Sequence, residues 1–216
     1  MKRLVYLFVL ALFCTGTLLH ATTILSENFN ELTPKLSVHT AGQFQTINGT
    51  NVDIVGGALF GSLVVPPESG NAIDMGGSGG FPNGHLQSVA VTLNPGNYLL
   101  SFDLVGSQRG VTTTTGVTVA PTSGPSLYSH NFTLTSTDDT SGIVNNAPFS
   151  VSGSPETVFL TFSLIDGAFN IGSLLDNVSI DTGAATVSPE PSSLFLLGTG
   201  LTALLGLVRR SRRNTA

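Results

Sequence analysis

The chain has 216 residues, a formal charge of -5, 41% hydrophobic residues and no tryptophan; a chain of this length holds one or two domains. Its basic residues are sharply partitioned: Lys2 and Arg3 open the chain, Arg209, Arg210, Arg212 and Arg213 lie near its end, and only Lys35 and Arg109 stand between, against twelve acids over residues 22–188, a net of -10. Such a surface repels phosphate backbones and excludes nucleic acid as a partner.

Met1-Lys2-Arg3 supplies a positive start, Leu4 to Leu19 an apolar run and Ala21 a small residue at the cut, the layout of a secretory signal peptide over residues 1–21. An uncleaved signal anchor is the alternative; the shortness of the run and Thr15, Gly16 and Thr17 within it weigh against that. The one cysteine, Cys14, lies in this leader behind bulky Phe13, where a lipoprotein site wants a small residue. The mature chain is then free of cysteine and of disulfides, which a domain of about 160 residues does not need.

Residues 22–183 are rich in Thr, Ser, Val, Gly, Asn and Phe and show no long amphipathic helix, a composition of strands and turns. In chain order, strands are predicted over Thr23–Phe29, Phe44–Ile47, Val111–Val119, His130–Ser136, Ile143–Val151, Thr157–Ile165 and Leu174–Asp181. A hairpin is predicted over Leu86–Val105: Val89, Val91 and Leu93 alternate with polar neighbours, Tyr98, Leu100, Phe102 and Leu104 resume the alternation, and Pro95-Gly96 suits a type II turn between them. Thr157–Ile165 is apolar on both parities, which predicts a central strand covered on both faces. Seven or more short strands separated by Gly, Pro, Asn and Asp clusters predict an all-β antiparallel β-sandwich.

Beyond the domain, residues 184–216 form a three-part tail. Pro189-Glu190-Pro191 is followed by Leu194–Val208, apolar apart from Thr and Gly, and then by Arg209-Arg210-Ser211-Arg212-Arg213. The fifteen residues 194–208 make about 22 Å of helix, short of the ~30 Å hydrocarbon core; starting the helix at about residue 192 and letting the arginines snorkel nearly closes the gap. One transmembrane helix over about 192–208 is predicted, with the arginines on the cytoplasmic side and the domain outside the inner membrane. Pro189 and Pro191 hold the chain extended ahead of it.

This order of tripeptide, helix and basic cluster resembles the PEP-CTERM sorting signal of Gram-negative bacteria. The resemblance covers about thirty residues, with Pro189, Glu190 and Pro191 as the sorting motif and Arg209, Arg210, Arg212 and Arg213 as the basic tail. It implies an exosortase as partner, a membrane intermediate, and delivery to the cell surface or to the extracellular matrix of organisms that make exopolysaccharide and biofilm. A plain C-terminal anchor on a proline-rich stalk is the alternative.

A second resemblance rests on Asn71 to Gly77, Leu86-Gln87-Ser88-Val89, Pro95 to Leu104 and Gly172 to Ile180, which look like jelly-roll domains of the galactose-binding-like, carbohydrate-binding-module type. It implies a structural calcium ion, with Glu27 and Asp176 as candidate ligands supplying the hard oxygens this ion takes; no other cofactor is expected.

Catalytic constellations are weak. His39, His85 and His130 lack metal-ligand spacing; Gly76-Gly77-Ser78-Gly79-Gly80 contains a Gly-x-Ser-x-Gly string but precedes no helix and reads as a loop. Asp103, Asp166 and Asp176 are the acids available for a glycosidase pair, and turn or calcium roles are preferred for them. Outside the leader only Tyr98 and Tyr128 join the phenylalanines as rings for stacking on sugars. The expectation is an exported, non-enzymatic surface or matrix protein of structural or adhesive role, the alternatives being a carbohydrate-binding module that retains exopolysaccharide and a polysaccharide-degrading enzyme.

Overall fold

The computed structural model of the chain describes residues 21–67, 70–79 and 84–183. Fourteen strands follow in order: β1 (Thr23–Glu27), β2 (Lys35–Val38), β3 (Thr40–Ala41), β4 (Phe44–Thr46), β5 (Val52–Gly56), β6 (Asn71–Asp74), β7 (His85–Ser88), β8 (Val91–Leu93), β9 (Gly96–Val105), β10 (Thr113–Pro121), β11 (Tyr128–Leu134), β12 (Val144–Val151), β13 (Glu156–Asp166) and β14 (Leu174–Thr182). They form two seven-stranded sheets, every pairing antiparallel. One runs β12-β9-β14-β6-β5-β2 with β1 added beside β14; the other runs β11-β10-β13-β7-β4-β3 with β8 added beside β13. The all-β antiparallel sandwich expected from composition is the fold observed.

Alternation builds the core. In β9, Tyr98, Leu100, Phe102 and Leu104 point inward; in β13, Val158, Leu160, Phe162 and Leu164 do the same from the other sheet. Phenylalanines bridge the gap between the sheets: Phe29 lies 6.0 Å from Phe44, Phe44 6.2 Å from Phe162, and Phe102 makes edge contacts with Phe162 at 5.3 Å and Phe132 at 5.5 Å. These tilted geometries are the ones aromatic quadrupoles favour. A second, smaller cluster of Val55, Leu63, Ala72, Val105 and Leu174 is joined by Val64 and Val65, so β5 and β6 are buried at every position. Strand pairs and core contacts close within residues 23–182, and this segment carries what it needs to fold by itself.

Several sequence expectations are corrected. The hairpin predicted over Leu86–Val105 does not form: β8 pairs with β13, whereas β9 pairs with β12 and β14 in the other sheet. The Asn94-Pro95 turn is a corner between sheets, held by the Tyr98 hydroxyl donating to the Asn94 carbonyl at 2.6 Å, and Gly96 is not among the positive-φ glycines a type II turn needs. Alternation identifies strands but not their partners. β13 is central, yet covered on one face only, and Ile165 on its other face is 54% exposed. β1 ends at Glu27, because Phe29 turns to φ 55 and drops its ring into the core. Four short strands, β2, β3, β5 and β6, were not expected; β5 and β6, buried on both faces, lack the alternation that marks a half-exposed strand.

Among the described residues no helix is long and apolar enough to cross a membrane. The apolar leader and the predicted span over about 192–208 lie outside the described residues.

Candidate functional site

The sandwich has two dissimilar ends. At one, the first and last strands meet: Thr23 pairs with Asp181, the Thr22 N–H donates to Thr182 Oγ1 at 2.7 Å, and the Thr182 N–H donates to the Thr22 carbonyl at 2.9 Å. The domain is thus entered and left at the same place. Two open grooves of about 440 and 430 Å³ lie at this end. The first, mostly apolar, is lined by residues including Tyr98, Pro148, Phe149 and Gly183; the second, polar, by loops that include Thr122, Ser123 and Ser152 to Thr157.

At the opposite end lies a buried polar cluster. Asp74 closes β6 directly opposite Asp53 of β5, and both are almost fully buried. Asp74 Oδ1 accepts the Gly76 N–H at 2.8 Å and the Gly172 N–H at 3.0 Å, while Oδ2 takes the Arg109 guanidinium. The two glycine segments touch backbone to backbone, since a Cβ at Gly172 would stand 2.1 Å from the Gly76 nitrogen. Asp53 accepts the Ser37 N–H at 2.7 Å, the Ser78 N–H at 2.9 Å and the Ser78 hydroxyl at 2.5 Å. Nearby, the buried Ser173 hydroxyl bonds Thr113 at 2.7 Å and Thr115 at 3.0 Å, tying the sheets together. Three loops and the edge strand β2 are therefore anchored on two acids. Ser78, the central residue of the Gly-x-Ser-x-Gly string, is one of the groups held there.

A third feature is the outer face of the second sheet. Ser129, Thr118, Thr161, Gln87 and Gln45 stand side by side on β11, β10, β13, β7 and β4, with the Gln87 amide within 3.4 Å of the Thr161 hydroxyl. With strands ~4.8 Å apart, the row is about 19 Å long and wholly uncharged. Beside it, Gly116 lies between Asn131 and Ser163 in the next row, where the Asn131 and Ile165 side chains close over it.

The two candidate calcium ligands take up backbone roles. Glu27 falls opposite Val178 in the β1–β14 pair, and its carboxylate accepts the Phe29 N–H at 3.1 Å and the Gln43 N–H at 2.9 Å. Asp176 falls opposite Asp103 across β9, and an extra residue enters β14 between Asp176 and Ser179; its Oδ1 accepts the Asn177 N–H at 2.7 Å. Among the described residues no group of three or more His, Cys, Asp or Glu is placed to hold a metal ion. The two carboxylates fall short of the six to eight oxygens of a calcium site, and the rest would have to come from carbonyls or water.

Of the acids weighed for glycoside cleavage, Asp103 and Asp176 are neighbours, but Asp176 is sealed from solvent, and Asp103 is engaged by the Asn177 amide at 2.8 Å. Asp166 belongs to the other sheet. His39 is held by Thr46 and the Thr50 carbonyl, and His130 lies edge-on to Phe132 at 4.6 Å. Asp53, Asp74 and Arg109 were not singled out from sequence. The available signal was that Arg109 is one of only two cations in a domain of twelve acids.

Comparison with known proteins places the PEP-CTERM protein-sorting motif on residues 189–213, so the chain carries that sorting signal. No curated protein matches the chain. Similar solved structures include the K3 cleaved adhesin domain of Lys-gingipain from Porphyromonas gingivalis (14% identity, TM-score 0.43, covering 76% of this chain and 100% of that one). Others are the K1 adhesin domain of the same protein (16%, 0.45, 75% and 99%) and the CBM22-1 xylan-binding domain from Paenibacillus barcinonensis (13%, 0.45, 77% and 97%).

Burial pushes the Asp74 carboxyl up to about 6, against the pull of Arg109 and the two backbone N–H groups. Because this value lies above 3.8, the folded state holds the proton more tightly than the unfolded chain. That contribution is fully present below pH 3.8 and is lost as pH rises through about 6. Two units correspond to about 3 kcal/mol at most. Melting of residues 22–183 followed by circular dichroism is expected to show this gain as pH falls from 7 toward 4, and Asp74→Asn, which keeps an acceptor for the two glycines but cannot titrate, is expected to lose it. An unchanged slope in the variant assigns the titration to another group.

Proposed function

We propose that this chain is a non-enzymatic protein of the cell surface or extracellular matrix, with a structural or adhesive role. In this reading it is exported by the leader 1–21, held in the inner membrane by the helix over about 192–208 with Arg209, Arg210, Arg212 and Arg213 on the cytoplasmic side, and handed onward by an exosortase acting at Pro189-Glu190-Pro191. The observation that carries this reading is the sorting motif over residues 189–213. Two features of the domain support it. Both ends of residues 22–183 emerge together, which suits a domain tethered through one end. In addition, of the acids weighed for catalysis Asp176 is buried, Asp103 is engaged by the Asn177 amide and Asp166 belongs to the other sheet, which favours a binding or structural role over turnover.

In the native host, Glu190→Ala is expected to hold the protein in the inner-membrane fraction, with loss of most of the extracellular or surface-bound form seen in the wild type. Equal release of variant and wild type would mean that the tail acts as a plain anchor and that Glu190 is not read.

A second reading, retention of exopolysaccharide, is favoured by the uncharged row Ser129-Thr118-Thr161-Gln87-Gln45. Hydroxyls and amides in a line offer donors and acceptors to a neutral glycan without the repulsion that the net charge of -10 would impose elsewhere on an acidic one. In a pull-down of residues 22–183 with the host's own polysaccharide, retention is expected to fall several-fold in a Thr118→Ala, Thr161→Ala double variant. A wild type that is not retained ends this reading and leaves the first untouched.

A further inference from the structure

The strands that end the two sheets are finished differently. β2 is four residues long, carries Lys35, and slips register before Val38 with Ser37 at φ 51. β12 contains Pro148 and a register slip between Val144 and Ala147 with Asn146 at φ 62. β3 has two residues. Short length, lysine, proline and bulges are the devices by which sheet edges avoid pairing with other chains. β11 has none of them: its seven residues run in unbroken register with β10 from Thr113↔Leu134 to Val119↔Tyr128, no residue from Leu127 to Thr137 is Asp, Glu, Lys, Arg or Pro, and among the described residues β10 is its only strand partner. Ser129, His130, Asn131 and Thr133 are exposed along it.

The strand is also complementary to itself. An antiparallel second copy in full overlap would centre on Asn131 and set Tyr128 against Leu134, His130 against Phe132, Ser129 against Thr133 and Asn131 against Asn131. Rings and aliphatic groups then meet in the row that faces the core, hydroxyls and amides in the row that faces out, the kind of matched cross-strand pairs that stabilise a sheet. Charge does not oppose this edge. In a domain with twelve acids and two cations, β11 carries no Asp, Glu, Lys or Arg along its length, and β12, the other long end strand without acids, is the one that its proline and bulge close to pairing.

We infer that the mature chain pairs with a second copy of itself through β11, joining two sheets of seven strands into one of fourteen. In that pair the ends at which the two chains leave their domains point in opposite directions. The arrangement is open to chains released from the membrane and closed to two chains anchored side by side, and the uncharged outer face continues across the junction.

Sedimentation of residues 22–183 is expected to show a concentration-dependent doubling of mass, lost in Asn131→Lys while the melting curve of the domain is unchanged. With Cys14 removed in the leader, Asn131→Cys is the sole thiol. Residues directly opposed in an antiparallel pair have Cα atoms ~4.5–5.5 Å apart, within disulfide reach, so this variant is expected to form a disulfide-linked dimer on mild oxidation. Ser129→Cys, whose symmetry mate lies four residues away at about 13 Å, is expected not to. A wild type that stays monomeric at every concentration, a dimer that survives Asn131→Lys, or cross-linking of Asn131→Cys no greater than that of Asn145→Cys on β12 would each overturn the inference.

Discussion

The buried Asp74 carboxylate is the contact on which the loop end of the domain depends. Its two oxygens gather Gly76, Gly172 and Arg109 from segments far apart in the chain, and Asp53 beside it gathers Ser37 and Ser78. A buried acid is costly unless each lone pair finds a donor; here the donors are mostly backbone N–H groups of glycine-rich loops that have no ladder of their own. The acid thus satisfies the loops and the loops satisfy the acid. Removing either side would strand the other, and a small residue at 76 and 172 is required because the two backbones touch.

That arrangement gives the molecule polarity. One end is closed by strand pairing and holds both ends of the segment 22–183; the other is closed by side-chain bonds to loops. The Asp74 loop end and the flanks of the sandwich lie away from residues 22 and 183. The uncharged rows of the second sheet lie on such a flank. Their neutrality stands out because the domain as a whole is acidic.

Much of this was legible in the sequence, though unevenly. The sorting tail is linear, so its order could be read directly, and the matched residues 189–213 contain both the tripeptide and the arginines. Strands such as Tyr98–Leu104 and Val158–Leu164 announced themselves through alternation. Partners did not: β8 and β9, contiguous and alternating around a Pro-Gly turn, look like a hairpin, and only the three-dimensional corner with Tyr98 across it sends them to different sheets. β5 and β6 were hidden because burial on both faces erases the alternation. The Asp74 cluster was hidden for another reason, since the Asp74–Gly172 bond spans 98 residues and no local pattern encodes it. Glu27 and Asp176, marked by resemblance, have carboxylates that accept backbone N–H groups.

The account stands or falls on processing at the two ends of the chain. The most direct test is the intact mass of the protein recovered from outside native cells. The expected species begins at Thr22 and has lost the apolar helix and the arginine cluster after the Pro189-Glu190-Pro191 motif. A species recovered only from the inner membrane, with the tail intact through Ala216, would contradict it.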